Sequence, residues 1–213
     1  MRIDDLLPPQ FVVAGTDTDV GKTVVAAILA SGLRASYWKP LQSGTREGSD
    51  ADVIRAVSGL PGHLILPEAY RLNTPISPHA SAAIDGITID PGLLGVPTVP
   101  GRLIIEGAGG LMVPINNTTL LLDIIETWGL PVLLVARTRL GTINHTLLSL
   151  AALKARTIDV VGVVMNGPHD DISRQAIEHF GHVRVLATVP PLPEVTMETI
   201  RASFEQVFGG CEF

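Results

Sequence analysis

Short apolar runs alternate with stretches of helical periodicity along most of the chain. The apolar runs are continuous rather than mixed with polar residues, which is typical of strands buried on both faces of a parallel sheet. The predicted strands are 11–14, 35–39, 102–105, 131–136, 160–165 and 183–189. The predicted helices are 24–33, 50–57, 78–83, 120–128, 141–155, 173–180 and 196–208. This order predicts an α/β fold, a three-layer sandwich with a mostly parallel central sheet and helices on both faces.

Proline and glycine interrupt the pattern in two places. Residues 59–77 show little periodicity and are interpreted as a connection, and residues 87–100 are too rich in proline to make a good helix. Ser49 or Asp50 is expected to cap the helix at 50–57. Neither an internal repeat nor a shift in composition divides the chain, so residues 1–213 are predicted to form a single domain.

The first predicted strand leads through a loop of small and polar residues into Gly-Lys-Thr at the head of a helix. This context makes Gly-Lys-Thr a phosphate-binding loop, or P-loop, because unpaired N–H groups at the helix start attract phosphate oxygens. Gly21 would allow the backbone to come close to the phosphates. Lys22 would reach the β- and γ-phosphates, and Thr23 would ligate Mg²⁺. Thr16 stands where the usual pattern has glycine. The alternative to a phosphate-binding loop is an ordinary glycine-rich turn in which Lys22 extends into solvent.

Polar side chains follow several predicted strands at their carboxyl ends. Lys39 ends the second strand, Glu106 follows the third, and Asn166 follows the strand at 160–165. Ser43 comes shortly after Lys39. Ligands of open parallel sheets bind beyond the carboxyl ends of the strands, so we expect these residues and the P-loop at one edge of the sheet.

Two carboxylates are candidates for holding Mg²⁺. Glu106 follows an apolar run, at the position where P-loop proteins place an acid near the metal, and the alternative is a loop or helix-capping glutamate. Asp50 is the weaker candidate, because capping a helix would explain it equally well. Mg²⁺ usually combines one or two carboxylates with phosphate oxygens and water, so Thr23, Asp50 and Glu106 would make a suitable set.

Lys39 and Asn166 each have two interpretations. Lys39 either extends to solvent or faces an anion, and beside a triphosphate it would neutralise charge that develops during phosphoryl transfer. Asn166 is either a turn residue or an amide that pairs with one edge of adenine. His79 and His145 have no neighbouring residues at a spacing that suggests zinc.

Composition argues against several classes of protein. Of the 213 residues, 46% are hydrophobic and 17% are charged, which favours a large core over disorder. The net charge of -6 argues against binding nucleic acid. The first nine residues lack the apolar stretch of a signal peptide, and no run is long enough to cross a membrane. The single cysteine, Cys211, fits a reducing compartment, so we expect a cytoplasmic protein.

Several of these motifs together resemble the dethiobiotin synthetase family. They occur in the family's order along nearly the whole chain. The motifs at 106–111 and 140–145 are more specific than the P-loop, which other nucleotide enzymes share. The matching segments are 15–23, 39–40, 42–44, 49–51, 77–79, 106–111, 140–145 and Asn166.

The resemblance implies an enzyme of biotin synthesis that uses ATP and Mg²⁺. Its substrates would be 7,8-diaminononanoate and CO2 or bicarbonate, and its product would be dethiobiotin. One amine would become a carbamate, whose oxygen attacks the γ-phosphate. The second amine would then displace phosphate and close a cyclic urea. The family is a homodimer that binds its substrate near the subunit interface.

The resemblance also implies roles for residues at the matching positions. Lys22 and Lys39 would be catalytic, and Thr23, Asp50 and Glu106 would hold Mg²⁺. The expected nucleotide-binding residues are Thr18, Asp19, Val20, Gly21, Lys22, Thr23, Glu106, Gly107, Asn166 and Pro190. The expected substrate-binding residues are Thr18, Lys39, Ser43, Gly141 and Asn144, of which the last two would come from the partner chain.

Two other classes of nucleotide enzyme are open at this point. Partition and septum-placing ATPases share the expected topology, but they carry a second lysine where this loop has Asp17, and they often end in an amphipathic membrane helix. The last predicted helix contains Glu198 and Glu205 and is not basic. Amide-forming ligases of cofactor synthesis use the same fold with another acid substrate, and they would not need the Lys39–Pro40 pair.

Overall fold

The computed structural model describes residues 3–209, and a parallel sheet of six strands lies at its centre. Cys211 lies outside the described residues. The strands are β1 (Gln10–Gly15), β2 (Ser36–Trp38), β3 (Leu41–Ser43), β4 (Tyr70–Leu72), β5 (Leu103–Gly110), β6 (Val132–Arg137), β7 (Val160–Asn166) and β8 (Val185–Val189). The main sheet has the order β2-β5-β1-β6-β7-β8, and each of its described strand pairs is parallel.

Helices cover both faces of this sheet, and each of the predicted helices is present. The helices are α1 (Ile3–Leu6), α2 (Lys22–Leu33), α3 (Asp50–Val57), α4 (Pro78–Asp85), α5 (Leu121–Trp128), α6 (Thr142–Ala155), α7 (Asp171–Gly181) and α8 (Met197–Phe204). A π-helical turn at Glu205–Gly209 continues α8, which explains the longer helix predicted there. No helix among the described residues is long and apolar enough to cross a bilayer.

Two apolar clusters, one on each face of the sheet, hold the three layers together. Along β1, Phe11 and Val13 belong to the cluster beneath α2 and α8, whereas Val12 and Ala14 belong to the cluster beneath α5, α6 and α7. Successive side chains of a strand point to opposite faces, so a continuous apolar run buries both of them. The predicted α/β three-layer sandwich is therefore confirmed.

Two predictions about strands are wrong. The third predicted strand was expected to end before Glu106, but β5 continues to Gly110, so Glu106 lies inside a strand. The glycines after Glu106 allow this extension, because Gly110 pairs with Gly15 after an irregularity in the register. Residues 59–77 are more than a connection, because β4 lies there and pairs with β3 in a small parallel sheet. Strands of three residues are too short to leave a periodic pattern.

The segment at 87–100 contains no α-helix, as its prolines predict. Its only regular element is a 3-10 turn at Pro91–Leu93, where the Asp90 side chain accepts from the N–H of Gly92 at 2.8 Å. Ile89 and Leu94 nevertheless pack into the core. The segment therefore closes one face of the molecule by burying single side chains rather than a helix face.

The N-terminus of α3 decides how Asp50 is used. Ser49 is the N-cap: its Oγ accepts from the N–H of Asp52 at 3.2 Å, and the Asp52 carboxylate accepts from the N–H of Ser49 at 3.0 Å. Gln42 Oε1 accepts from the N–H of Asp50 at 3.1 Å. The Asp50 carboxylate is therefore not the cap of this helix and remains available for other contacts.

Ser49→Ala should lower the free energy of unfolding by about 1 kcal/mol, the usual cost of losing a helix N-cap. Urea unfolding measures the change. The control is Ser149→Ala, which replaces a serine in the middle of α6 and leaves every cap intact. Equal losses in the two variants would contradict the assigned cap.

Candidate nucleotide and magnesium site

Lys39, Ser43 and Glu106, three of the polar residues predicted near the strand ends, line a cavity of about 690 Å³ at the carboxyl edge of the sheet. The P-loop, the segment after β2, the start of α4 and part of β5 form its walls. The predicted site residues that line it are Thr18, Asp19, Gly21, Lys22, Thr23, Lys39, Ser43, Asp50 and Glu106. Another cavity, of about 410 Å³, lies between the ends of α2 and α3 and helix α8, but none of these residues line it.

Lys22 folds back onto its own loop. Its Nζ donates to the backbone oxygen of Asp17 at 2.9 Å, and its side chain is buried. Gly15 makes room for this arrangement, because a Cβ there would lie 2.8 Å from both of those atoms. Burial lowers the pKa of Lys22 to about 8, although the charge of Glu106 opposes the change. A poorly solvated ammonium is stabilised by an incoming anion, as a phosphate-binding lysine requires.

Glu106 is the most deeply buried ionisable residue of the site, because its side chain is 0% exposed. Its Oε1 accepts from Thr23 Oγ1 at 2.8 Å and from Lys39 Nζ at 3.2 Å. Its Oε2 accepts from the Tyr37 hydroxyl at 2.8 Å. A buried carboxylate is costly unless such donors surround it. Glu106 is therefore neither a loop glutamate nor a helix cap, because it joins β5, β2 and α2.

Lys39 does not extend to solvent. Its side chain is 8% exposed, and its ammonium contacts both Asp50 and Glu106. Burial is the largest influence on the pKa of Lys39 and lowers it, but the two carboxylates together outweigh burial and raise the pKa above its ordinary value. The ammonium therefore remains charged at neutral pH.

The oxygens grouped here suit Mg²⁺. The Thr23 hydroxyl contacts Glu106, and the carboxylates of Glu106 and Asp50 meet at the same ammonium. Mg²⁺ prefers oxygen ligands and usually takes several of them from water and phosphate. No cluster of three His, Cys, Asp or Glu side chains that could hold a metal occurs within residues 3–209. Thr23, Asp50 and Glu106 offer fewer ligands than Mg²⁺ takes, so this donor set fits a metal that takes its other ligands from a nucleotide and water.

Asn166, at the end of β7, supports the P-loop across the intervening strand β6. Its Nδ2 donates to the backbone oxygen of Val20 at 3.1 Å. Gly21 has a φ of 96°, and a Cβ at this position would lie only 2.0 Å from Asn166 Nδ2. Glycine is thus required both by the backbone conformation and by the space. The amide oxygen and the second N–H of Asn166 are not used in this contact, so adenine binding by Asn166 stays a prediction.

Six predicted residues do not line the cavity, namely Val20, Gly107, Gly141, Asn144, Asn166 and Pro190. Gly107 is buried inside β5, whereas Pro190 is exposed just after β8. Gly141 and Asn144 are exposed at the start of α6, away from the cavity of their own chain. This position agrees with the prediction that they serve the partner chain, but does not test it.

Three side chains near the site were missed by the sequence interpretation. Tyr37 donates to Glu106, and burial together with the charge of Glu106 raises the pKa of Tyr37 well above its usual value. Gln42 ties Asp50 to the Ser43 backbone through its amide, and Arg137 pairs with Asp17 of the P-loop at 3.3 Å. The alternation of β2 was the available signal for Tyr37, since Tyr37 and Lys39 are two residues apart.

Comparisons with known proteins identify the family. A protein-family model described as "AAA domain" matches residues 9–199. A protein of Afipia carboxidovorans named ATP-dependent dethiobiotin synthetase BioD is 53% identical over 96% of this chain and 98% of its own length. A protein of the same name from Rhodopseudomonas palustris (strain BisB18) is 50% identical over 97% of this chain and 99% of its own length. This chain belongs to the ATP-dependent dethiobiotin synthetase family.

The family confirms the predicted class of enzyme, an ATP-dependent ligase. Solved structures that resemble the chain include a ParA family ATPase from Chlorobium tepidum, with a TM-score of 0.54, 13% identity and coverage of 93% of this chain and 90% of that one. Another is the septum site-determining protein MinD from Pyrococcus horikoshii, with a TM-score of 0.51, 12% identity and coverage of 91% of this chain and 86% of that one. Identities this low show a shared fold only, so the family relationship favours the synthetase over the partition and septum-placing ATPases.

Gly21→Ala should weaken ADP binding in the presence of Mg²⁺ by at least about tenfold, since a strained backbone position costs about 1–3 kcal/mol and the new methyl group would also displace Asn166. Nucleotide titration measures the change. Gly129→Ala is the matched control, because Gly129 also has a positive φ but no atom lies within 4 Å of its added Cβ. Equal losses in both variants would show that the contact with Asn166 is unimportant.

Proposed function

We propose that this chain is a dethiobiotin synthetase, an ATP-dependent ligase that joins 7,8-diaminononanoate and CO2 into the cyclic urea of dethiobiotin. The observation that carries the proposal is the buried contact of Lys39 with Asp50 and Glu106 beside the P-loop, in a member of this family. We further propose that residues 1–213 act as one domain and that the protein works in the cytoplasm.

The proposed reaction consumes one ATP for each ring that closes. One amine of the diamine adds to CO2 and loses a proton, which gives a carbamate. A carbamate oxygen attacks the γ-phosphorus, and ADP leaves with the electron pair of the broken P–O bond. The second amine then attacks the carbonyl carbon of the mixed anhydride. Phosphate leaves, a proton is released, and the urea ring is complete.

The P-loop would hold the phosphates of ATP in this reaction. The N–H groups at the start of α2 carry partial positive charge, and the Lys22 ammonium would exchange the Asp17 carbonyl for phosphate oxygens. Mg²⁺, bound with help from Thr23, Asp50 and Glu106, would supply a Lewis acid that withdraws charge from the phosphates.

Lys39 would stabilise the charge that passes between the carbamate and the γ-phosphate. It lines the cavity next to Thr23 and Glu106, so its ammonium lies beside the P-loop. A fixed charge that is shielded from water stabilises a transition state more strongly than a solvated one. Lys22 and the backbone amides already serve the nucleotide, which leaves Lys39 for the transferring group.

The remainder of the cavity suits a diamine with an aliphatic chain. Ser43 Oγ is buried and has no hydrogen-bond partner within residues 3–209, so it can receive a polar group of the substrate. Leu41, Ile76 and Val113 provide apolar wall for methylene groups. Thr18 lines the same cavity and would contact the diamine or its carbamate.

Lys39→Gln should lower kcat by at least about a hundredfold, the scale for losing one well-placed electrostatic group, and should change ATP affinity much less. The assay measures phosphate release in a single turnover with diamine and bicarbonate. Arg174→Gln removes a cation of α7 whose side chain is 45% exposed and lies outside the cavity, and it should leave turnover unchanged.

Normal turnover in Lys39→Gln would exclude a catalytic role for this lysine. A loss confined to ATP affinity would instead assign it to the nucleotide. The substrates test the function itself: phosphate release by the wild-type protein should require both diamine and bicarbonate. Release stimulated instead by DNA, lipid or glutamine would contradict the proposal and favour the other two classes.

We also propose a homodimer in which α6 and the loop before it face the partner. Leu140 is fully exposed and Leu148 is 62% exposed, so both can pack against a second chain. Gly141 and Asn144 lie on the same segment, outside the cavity of their own chain. A two-fold interface would bury the leucines and bring these residues to the partner's substrate, where they would bind its carboxylate.

Leu148→Asp should convert the dimer into a monomer, because an interface that buries leucine would then bury an unpaired charge. Sedimentation at micromolar concentration measures the mass. Leu93→Asp is the control, because Leu93 is 66% exposed on the turn at Pro91–Leu93 and lies outside the proposed interface. A wild-type protein that is a fully active monomer would exclude the shared site.

A further inference from the structure

Tyr37 is one of two tyrosines in the chain, and it is fully buried beneath the proposed metal site. Its hydroxyl donates to Oε2 of Glu106 at 2.8 Å. Tyr37 does not line the cavity, and none of the proposed steps needs a phenol. Its contact with the carboxylate therefore requires a separate explanation.

The register of the sheet brings Tyr37 to this carboxylate. Tyr37 of β2 pairs with Ile104 of β5, and Glu106 lies two residues further along β5. Tyr37 and Ile104 belong to the apolar cluster beneath α2, so Glu106 points to the same face as the tyrosine. Neighbouring strands thus hold the phenol and the carboxylate in a fixed relationship.

The two oxygens of Glu106 have different partners. Oε1 accepts from Thr23 Oγ1 and from Lys39 Nζ, and both donors belong to residues that line the cavity. Oε2 accepts from Tyr37, on the side of the core. Because the carboxylate is planar, holding Oε2 in place also fixes the direction in which Oε1 points.

We infer that Tyr37 is a positioning residue for the metal-binding carboxylate: by holding Oε2 of Glu106, it directs Oε1 towards Thr23 and the proposed Mg²⁺. Because the Mg²⁺ role of Glu106 is itself proposed, the role of Tyr37 rests on that proposal. Hydrogen-bond partners of a metal ligand typically change metal affinity by about 10- to 100-fold when they are removed.

Tyr37→Phe tests this role through ADP affinity, measured with Mg²⁺ and again in EDTA. Phenylalanine keeps the buried ring and removes the hydroxyl. We expect ADP affinity in EDTA to be unchanged. The gain, meaning the increase in ADP affinity on adding Mg²⁺, should fall by about tenfold or more. The control is Tyr70→Phe, which also loses a hydrogen-bonded hydroxyl: the oxygen of Tyr70 accepts from the N–H of Asp90 at 3.0 Å, outside the cavity. A full gain in Tyr37→Phe would overturn the inference.

Glu106→Gln separates this inference from the proposed function. If that variant keeps the full gain from Mg²⁺, Glu106 is not a metal ligand, and the proposed metal site is wrong together with the role of Tyr37. If Glu106→Gln loses the gain while Tyr37→Phe keeps it, only the role of Tyr37 is overturned. In the double variant of Tyr37→Phe and Glu106→Gln, the Mg²⁺-dependent increase in ADP affinity should be no smaller than in Glu106→Gln alone. Additive losses would contradict action through Glu106.

A measurement on the native side chain covers the case in which Tyr37→Phe does not fold. Fluorotyrosine incorporated into the Tyr70→Phe protein labels Tyr37 alone, because the chain has two tyrosines. We expect the fluorine NMR resonance of Tyr37 to shift further when Mg²⁺ is added to the ADP complex. A resonance that does not respond to Mg²⁺ would overturn the inference.

Discussion

The buried carboxylate of Glu106 is the constraint on which the site depends. It lies inside a central strand without contact with solvent, where removing one partner of a buried ion pair typically costs about 3–5 kcal/mol. Its partners are Thr23 from α2, Tyr37 from β2 and the ammonium of Lys39. Satisfying this single charge brings elements together that are far apart in the sequence.

The strand order brings Glu106 and its three partners together. β5 lies between β2 and β1 although it follows both in the chain, so the ends of β2 and β5 and the P-loop after β1 are adjacent. Lys39 then has Glu106 on one side and Asp50 of α3 on the other, and Gln42 holds the backbone of Asp50 in place. The result is a dense group of opposite charges beside a phosphate-binding loop, as transfer of a phosphoryl group requires.

The sequence was sufficient to predict the layers, the loop between β1 and α2, and Lys39 and Asn166 at strand ends, because apolar runs and the residues that follow them are local signals. It could not show that β5 extends past Glu106, since pairing of Gly110 with Gly15 depends on a partner strand. Alternation along β2 could place Tyr37 on the same face as Lys39, but its hydrogen bond to Glu106 depends on the register between β2 and β5, which the sequence does not show. Whether Gly141 binds substrate in a partner chain depends on how two chains associate, and the sequence pattern of one chain does not show that.

The most direct measurement of the central claim follows an oxygen atom. If a carbamate oxygen attacks the γ-phosphorus, that oxygen leaves with phosphate when the ring closes. The enzyme is mixed with ATP, the diamine and CO2 labelled with oxygen-18 in ordinary water, and the phosphate is analysed by mass spectrometry before the label exchanges. We predict one labelled oxygen in each phosphate released. Unlabelled phosphate from a CO2 pool that has kept its label would mean that ATP is cleaved by water, which would contradict phosphoryl transfer to the carbamate.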